Sequence, residues 1–398
     1  MTDLSNEFDV AIAGAGPAGS SAAIQLALKG ARVLLVEQKK FPRPKLCGEF
    51  ISPECISHFE RLGVADRLLA AGGASIRNTV FFARGGASVQ LPSEWFNPGV
   101  AALGLSRSEM DHRLLERAKE VGVTVLENAH ATGLLHQGEN VIGLDVKVDD
   151  KLRSCKATIT IDATGRNRAL AKQPDHHPRV RPRLVAFKVH LKNARLNEGD
   201  CEIYFYPRGY GGLSRVENGV SNLCFIVSAR DVRRLRSDPE AVMREVLMQN
   251  QRAAFTLTDV RTCSPWLSVS LTGFEKHSVV PQPGLLTAGD AAAFIDPFTG
   301  SGMLMALESG KLAANTISRH LPHVSTIARE YRSAYSKTFQ SRMRVAGLLR
   351  RAAFVPGFAG AAIRLAGISS HFRRELARAT RQSAATSETR APSGNSYN

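Results

Sequence analysis

At 398 residues the chain allows one large or two to three smaller domains. Its composition, 43% hydrophobic and 22% charged, is that of a folded globular protein, and no apolar run reaches the ~18 residues of a membrane-crossing helix. The net charge of +16 leaves three readings, a nucleic-acid binder, a visitor to anionic membrane or a basic enzyme, and the lack of any nucleic-acid motif ranks the first last.

The N-terminus carries acids and no hydrophobic signal core, so no secretory leader is expected. Asp9 to Ala13 is a short apolar run of strand formers. Gly14-Ala15-Gly16-Pro17-Ala18-Gly19 follows at once and fits G-x-G-x-x-G. Ser20 to Leu28 reads as a helix ended by Gly30, and Arg32 to Val36 as a second strand closed by Glu37. This strand–turn–helix–strand unit with a terminal acid is the dinucleotide fingerprint. Gly14 suits the positive φ of a tight turn, Gly16 lets a pyrophosphate approach the backbone, and Gly19 lets helix and strand pack closely. The helix start offers free N–H groups and partial positive charge to a diphosphate. Glu37 can accept from ribose hydroxyls.

Gln38 to Glu49, rich in Pro and Gly, predicts a structured loop beside the fingerprint. Phe50 to Leu69 has helical spacing with a break at Gly63. Val80 to Leu91 alternates around Arg84-Gly85-Gly86-Ala87, which predicts a hairpin. The next helix begins in Leu105-Ser106-Arg107-Ser108-Glu109-Met110-Asp111, with Ser108 expected as N-cap and Asp111 completing a capping box. Val123 to Leu126 reads as a strand, Ala131 to Val148 as a strand pair, and Ala157 to Ile161 as a strand running into Asp162-Ala163-Thr164-Gly165-Arg166-Asn167.

Residues 184–280 change character. Period-two segments at 186–191, 202–206, 223–227 and 266–271 predict an antiparallel sheet. One helix, capped by Asp238 with Pro239 at its first position, is expected to run to about Phe255. Leu285 to Asp290 returns to the parallel-strand style, and a G-S-G turn leads into a helix from Met303 to about Ser318. Helices are expected from Ser325 to about Phe354 and from Phe358 to about Thr380. Residues 341–381 hold nine Arg and one acid, Glu375. Two readings of this segment stand: a basic amphipathic surface for anionic membrane, or a helical pair that covers the core and solvates its outer face. Residues 382–398 read as a disordered tail. Six scattered cysteines without C-x-x-C predict reduced thiols in a cytoplasmic setting, with no zinc site.

GAGPAG with Glu37, PRPKLCGE, IDATGRN and AGDAAAFIDPFTGSGM together resemble the FAD-dependent oxidoreductases of the glutathione-reductase-2 group, which includes geranylgeranyl reductases, aromatic hydroxylases and flavin halogenases. The resemblance covers roughly residues 8–320. It implies an α/β fold, with a Rossmann-like FAD-binding domain (1–78, 99–180 and 281–320) interleaved with an antiparallel β-sheet substrate domain (79–98 and 181–280). C-terminal helices (321–381) and the tail follow. It implies FAD as cofactor and NAD(P)H or another reductant as electron donor. Gly14, Gly16, Pro17, Ala18 and Gly19 would form the diphosphate turn, and Glu37 and Gln38 would meet the ribose. Arg107 would touch the cofactor, and Asp162 and Gly165 would flank the diphosphate. Gly289 and Asp290 would bind the diphosphate and ribityl chain, while Pro297, Gly300, Gly302 and Met303 would face the isoalloxazine. The helix starting there would point its dipole at the electron-rich edge of the flavin.

Pro42 to Glu49 is most similar to the P-R-x-K-x-C-G of geranylgeranyl reductases and would bring Lys45, Cys47 and Gly48 near the flavin. Halogenases carry W-x-W-x-I-P, and Trp95 and Trp266 stand in no such context, so halogenation is not expected. The reductases' G-Y-x-W-x-F-P is replaced here by Gly209-Tyr210-Gly211-Gly212-Leu213-Ser214. With no second G-x-G-x-x-G, a pyridine nucleotide would dock transiently. The expected activity is hydride transfer from the flavin to a C=C bond of a lipophilic or aromatic small molecule. The alternatives are a monooxygenase using NAD(P)H and O2 and, in another class, an electron-transfer flavoprotein. No catalytic acid or base stands out.

Overall fold

The computed structural model describes residues 7–171, 183–271, 277–294, 300–353, 360 and 362–364. Most of the expected helix at 358–380, the tail and Pro297 lie outside them.

The first layer is a sheet whose parallel strands run Thr124–Leu126, Val33–Val36, Phe8–Ala13, Lys151–Asp162 and Leu285–Thr287 in spatial order. Their near-continuous apolar runs are explained by cover on both faces: every residue of Val33–Val36 is buried. Helices Pro17–Ala27, Arg107–Glu120 and Gly302–His320 cover one face. On the other, strand Asn140–Val148 pairs with His130–Gln137 and with the first half of Lys151–Asp162, which starts six residues before the expected strand. Small residues let the first and last of these helices approach: Ser21 Oγ donates to the Leu307 carbonyl at 2.9 Å, and a Cβ on Gly310 would stand 2.3 Å from the Ala18 carbonyl oxygen.

The second layer is an eight-stranded sheet centred on Leu184–Lys192, Ser221–Ser228, Gly209–Arg215 and Asp200–Tyr206, with the hairpin Asn78–Phe82/Ser88–Pro92 at its edge. Its far face packs Phe187, Val189, Leu213 and Phe225 against short helices. There the expected helix from Pro239 to Phe255 is three pieces, Pro239–Glu245, Leu247–Gln249 and Gln251–Thr256. Asn250 is the cause of the last break. It is fully buried, and its Nδ2 donates to the carbonyls of Phe82, Ala83 and Phe205 at 3.0, 3.1 and 3.0 Å, while Oδ1 accepts from the amides of Arg252 and Ala253. Asn250→Ala removes a cap and the side-chain donor that three carbonyls share, so a loss of about 2–3 kcal/mol is expected in urea unfolding.

A third, three-stranded sheet of Phe50–Ile51, Ala102–Gly104 and Ala74–Ile76, not anticipated from sequence, bridges the two layers. Gly63, at φ 70°, breaks the helical stretch as expected, between Glu54–Leu62 and Ala65–Leu69. The N-cap of the helix Arg107–Glu120 is Ser106, not Ser108: Ser106 Oγ accepts from the Glu109 amide at 3.2 Å, and Asp111 is held by Arg107 instead.

Candidate active site

The cleft between the first two layers is a cavity of about 750 Å3, within the size range of small-molecule sites. Gly14, Gly16, Pro17, Ala18, Glu37, Gln38, Lys45, Cys47, Gly48, Arg107, Gly165, Gly289, Asp290, Gly300, Gly302 and Met303 all border it. Two expected site residues do not. Gly19 lies behind the turn, where a Cβ would stand 1.9 Å from the Gly14 carbonyl oxygen, so its role is close packing. Asp162 is fully buried; its carboxylate accepts from the Thr164 amide (3.0 Å) and hydroxyl (2.6 Å) and from the amides of Leu170 and Ala171, and so organises its own loop.

The fingerprint turn is shaped from within. Gly14 has φ 99° and sits against Ala163, whereas a Cβ on Gly16 would meet only Arg107 Nη2, at 3.9 Å. The open space at Gly16 lies on the cavity side. Glu37 Oε2 accepts from the Ala15 amide and Oε1 from the Lys39 amide, both at 3.0 Å, so the acid braces the turn as well as facing the cleft. Arg43 links it onward, 3.5 Å from Glu37 Oε1 and 3.7 Å from Asp111 Oδ2. Arg107 is buried and bidentate to Asp111, at 2.8 and 2.7 Å.

These charges make the cleft electropositive. Desolvation pushes the Lys45 ammonium below its usual range, and the charges of Arg107 and Arg43 push it further. Burial raises the Asp290 carboxyl, although Arg166, Arg107 and Lys45 oppose it. Arg166 lies over the Phe294 ring, 5.0 Å from its centroid. Glycine turns, free helix N-termini and this cationic cluster fit an elongated dinucleotide carrying a diphosphate.

Glu49 anchors the Pro42 to Glu49 loop. It is 1% exposed, and Oε1 accepts from the Lys188 ammonium and, at 2.8 Å, from the Arg107 amide; Oε2 stands 2.6 Å from His190 Nε2. Lys188 also donates to the Lys45 carbonyl at 3.0 Å, and Asn222 Nδ2 to the Cys47 carbonyl at 3.1 Å. Burial alone would raise the Glu49 carboxyl, but the His190 hydrogen bond and the Lys188 charge outweigh it and hold it low. The loop is thereby fastened to the second sheet. That sheet's near face supplies the opposite wall, with Ile203, Phe205, Tyr210, Gly212, Ile226 and Leu271 among its members. None of the second-sheet residues that border the cavity is charged; Lys188 and His190, on the same face, are turned to Glu49.

The family described as FAD binding domain matches residues 7–321. The chain belongs to this family. It is an FAD-dependent oxidoreductase. The flavoprotein is 27% identical over 318 residues to the digeranylgeranylglycerophospholipid reductase of Methanosarcina mazei, covering 78% of this chain and 75% of that one. It is 26% identical over 329 residues to the menaquinone reductase of Mycolicibacterium smegmatis, covering 79% and 77%. Among solved structures, a flavin-dependent brominase superposes with a TM-score of 0.80 at 20% identity, covering 94% of this chain and 93% of that one. A geranylgeranyl bacteriochlorophyll reductase-like protein from Thermoplasma acidophilum gives 0.69 at 20% identity, covering 95% and 92%. At these identities the structural likenesses establish the flavoprotein's fold alone. Among the described residues, no helix is long and apolar enough to cross a membrane, and no cluster of His, Cys, Asp and Glu could hold a metal ion.

The wall residues Cys201, Gly212, Ser214 and Cys224, and the partners Lys188 and His190, were not anticipated as site residues. Strand alternation carries the only sequence signal for them: Tyr210, Gly212 and Ser214 are spaced by two and share the cleft face.

Proposed function

We propose that this flavoprotein adds hydrogen across a carbon–carbon double bond of a lipophilic substrate held between FAD and the second sheet. One observation carries the reading: a single cavity has a cationic, glycine-turned wall on one side and an uncharged, largely apolar wall on the other. Two relatives named as reductases of lipids support it.

Gly14, Gly16 and the start of the helix Pro17–Ala27 would hold the diphosphate, with Arg107 beside it. Glu37 and Gln38 would meet the ribose, and Gly289 and Asp290 the ribityl chain. Gly300, Gly302 and Met303 would lie along one edge of the ring, where the N-terminus of the helix Gly302–His320 favours negative charge. Lys45, Cys47 and Gly48 would border the ring from the loop that Glu49 anchors. When bound and reduced, FAD supplies a hydride equivalent. The chain's part is to position the double bond on the sheet face and exclude water from it; a proton completes the addition at the neighbouring carbon. The reductant is a pyridine nucleotide or another small donor that docks transiently, consistent with the single dinucleotide turn.

Protein reduced with dithionite and mixed with a polyprenyl substrate without oxygen is expected to yield product heavier by two hydrogens in mass spectrometry. Product formed only when oxygen is admitted, and heavier by one oxygen atom, would replace this reading with hydroxylation.

A further inference from the structure

Resting on the reading that the chamber takes a lipophilic substrate, we infer that the substrate has an uncharged head bearing a hydroxyl or carbonyl group, seated on Ser214. The apolar wall is graded. Cross-strand pairing puts Thr79, Cys201, Ser214, Asn222 and His190 in one row across the sheet. Four residues along the strands, the row is Phe205, Tyr210, Ile226 and Ala186. At about 3.3 Å per residue the rows are about 13 Å apart, so the wall has a polar end and an apolar end.

Ser214 faces the cavity, is 1% exposed, and its hydroxyl has no hydrogen-bond partner among the described residues. Directly opposite it on the next strand, Asn222 is fully buried; its Nδ2 is used by the Cys47 carbonyl, while its Oδ1 is equally without a partner. Two adjacent buried polar atoms left unpaired are uncommon in a folded protein. A hydroxyl or carbonyl in the cavity satisfies Ser214, the one of the two that borders it, by accepting from its hydroxyl.

Charge decides against a phosphate head. Arg43, Lys45, Arg107 and Arg166 border the cavity as one cluster with Asp290. Lys188 and His190, both on the sheet's near face, are committed to Glu49, and Lys188 also to the Lys45 carbonyl. A phosphate seated at Ser214 would therefore be desolvated without a counter-charge from the sheet, an unfavourable arrangement.

The test compares two probes with one tail, geranylgeraniol and geranylgeranyl diphosphate, titrated into the FAD-loaded protein and followed by flavin fluorescence. The alcohol is expected to bind at least about tenfold more tightly. Ser214→Ala is expected to keep its flavin, to weaken the alcohol about fivefold to tenfold, and to leave the diphosphate within about twofold. Equal or tighter binding of the diphosphate, or an alcohol affinity indifferent to Ser214→Ala, overturns the assignment of the head while leaving the lipophilic-substrate reading in place. Failure of both probes to bind overturns the two together.

Discussion

Glu49→Gln is expected to lower the unfolding free energy by about 3–5 kcal/mol, because it leaves Lys188 charged, buried and without its counter-ion. Lys188 is 3% exposed and Glu49 1%, so water cannot replace the lost partner. A buried pair of this kind adds little stability over an apolar pair of the same shape; the large cost comes from removing one member only. Lys188→Met is accordingly expected to be harmful as well. The double variant should cost less than the sum of the two, with a coupling of about 0.5–3 kcal/mol. Urea unfolding of the four proteins measures this, and additive costs would show that the pair acts as two independent contacts. The pH dependence has a definite sign. The folded Glu49 carboxyl lies below its ordinary value of 4.5, so its contribution is complete at neutral pH and is lost as the pH falls through the folded value. Glu49→Gln should remove that acid-side loss.

Gly16→Val is expected to separate binding from folding. The φ of Gly16, −71°, is one that any residue adopts, and a Cβ there clears its neighbours. The variant should stay within about 1 kcal/mol of the wild type in stability. Its branched side chain would fill the space beside the helix start where the diphosphate is proposed to lie, so purified protein should carry less than about a tenth of the normal flavin absorbance. Gly19→Val makes the contrast. With a Cβ 1.9 Å from the Gly14 carbonyl oxygen, it should fail to fold, whatever the cofactor does. A yellow Gly16→Val protein with full flavin content would place the diphosphate elsewhere.

The parts legible in sequence are those written in local patterns. The turn from Gly14 to Gly19, the alternating strands at 186–191 and 202–206, and the Gly63 break each depend on neighbours a few residues away, and the fold they imply is the one found. What was missed depends on distant partners. Glu49 and Lys188 are 139 residues apart, and only the register of the second sheet brings them together. Strand Gly209–Arg215 was hidden because its glycines erase the usual strand signature. One reason for a glycine there is spatial: a Cβ on Gly211 would stand 2.7 Å from Leu247 Cδ1 and 2.8 Å from Phe225 Cβ, so a helix pressed on the far face forbids a side chain. The cap was misplaced because Ser106 and Ser108 both precede an acid by three residues. Only the Arg107–Asp111 pair, formed on folding, decides between them.

The substrate's double bond is proposed to lie on the near face of the second sheet, against the cofactor. Gly212 borders the cavity there, and a Cβ on it would press only on the flexible end of Ile203, at 3.0 Å. Gly212→Trp should therefore keep its flavin and fill the chamber. The direct measurement is the return of oxidised-flavin absorbance when dithionite-reduced protein meets a polyprenyl alcohol without oxygen. Reoxidation by the wild type, slowed at least about 100-fold in Gly212→Trp, is the predicted result. A wild-type flavin that stays reduced until air is admitted, or a Gly212→Trp protein that reoxidises at the wild-type rate, would contradict the claim.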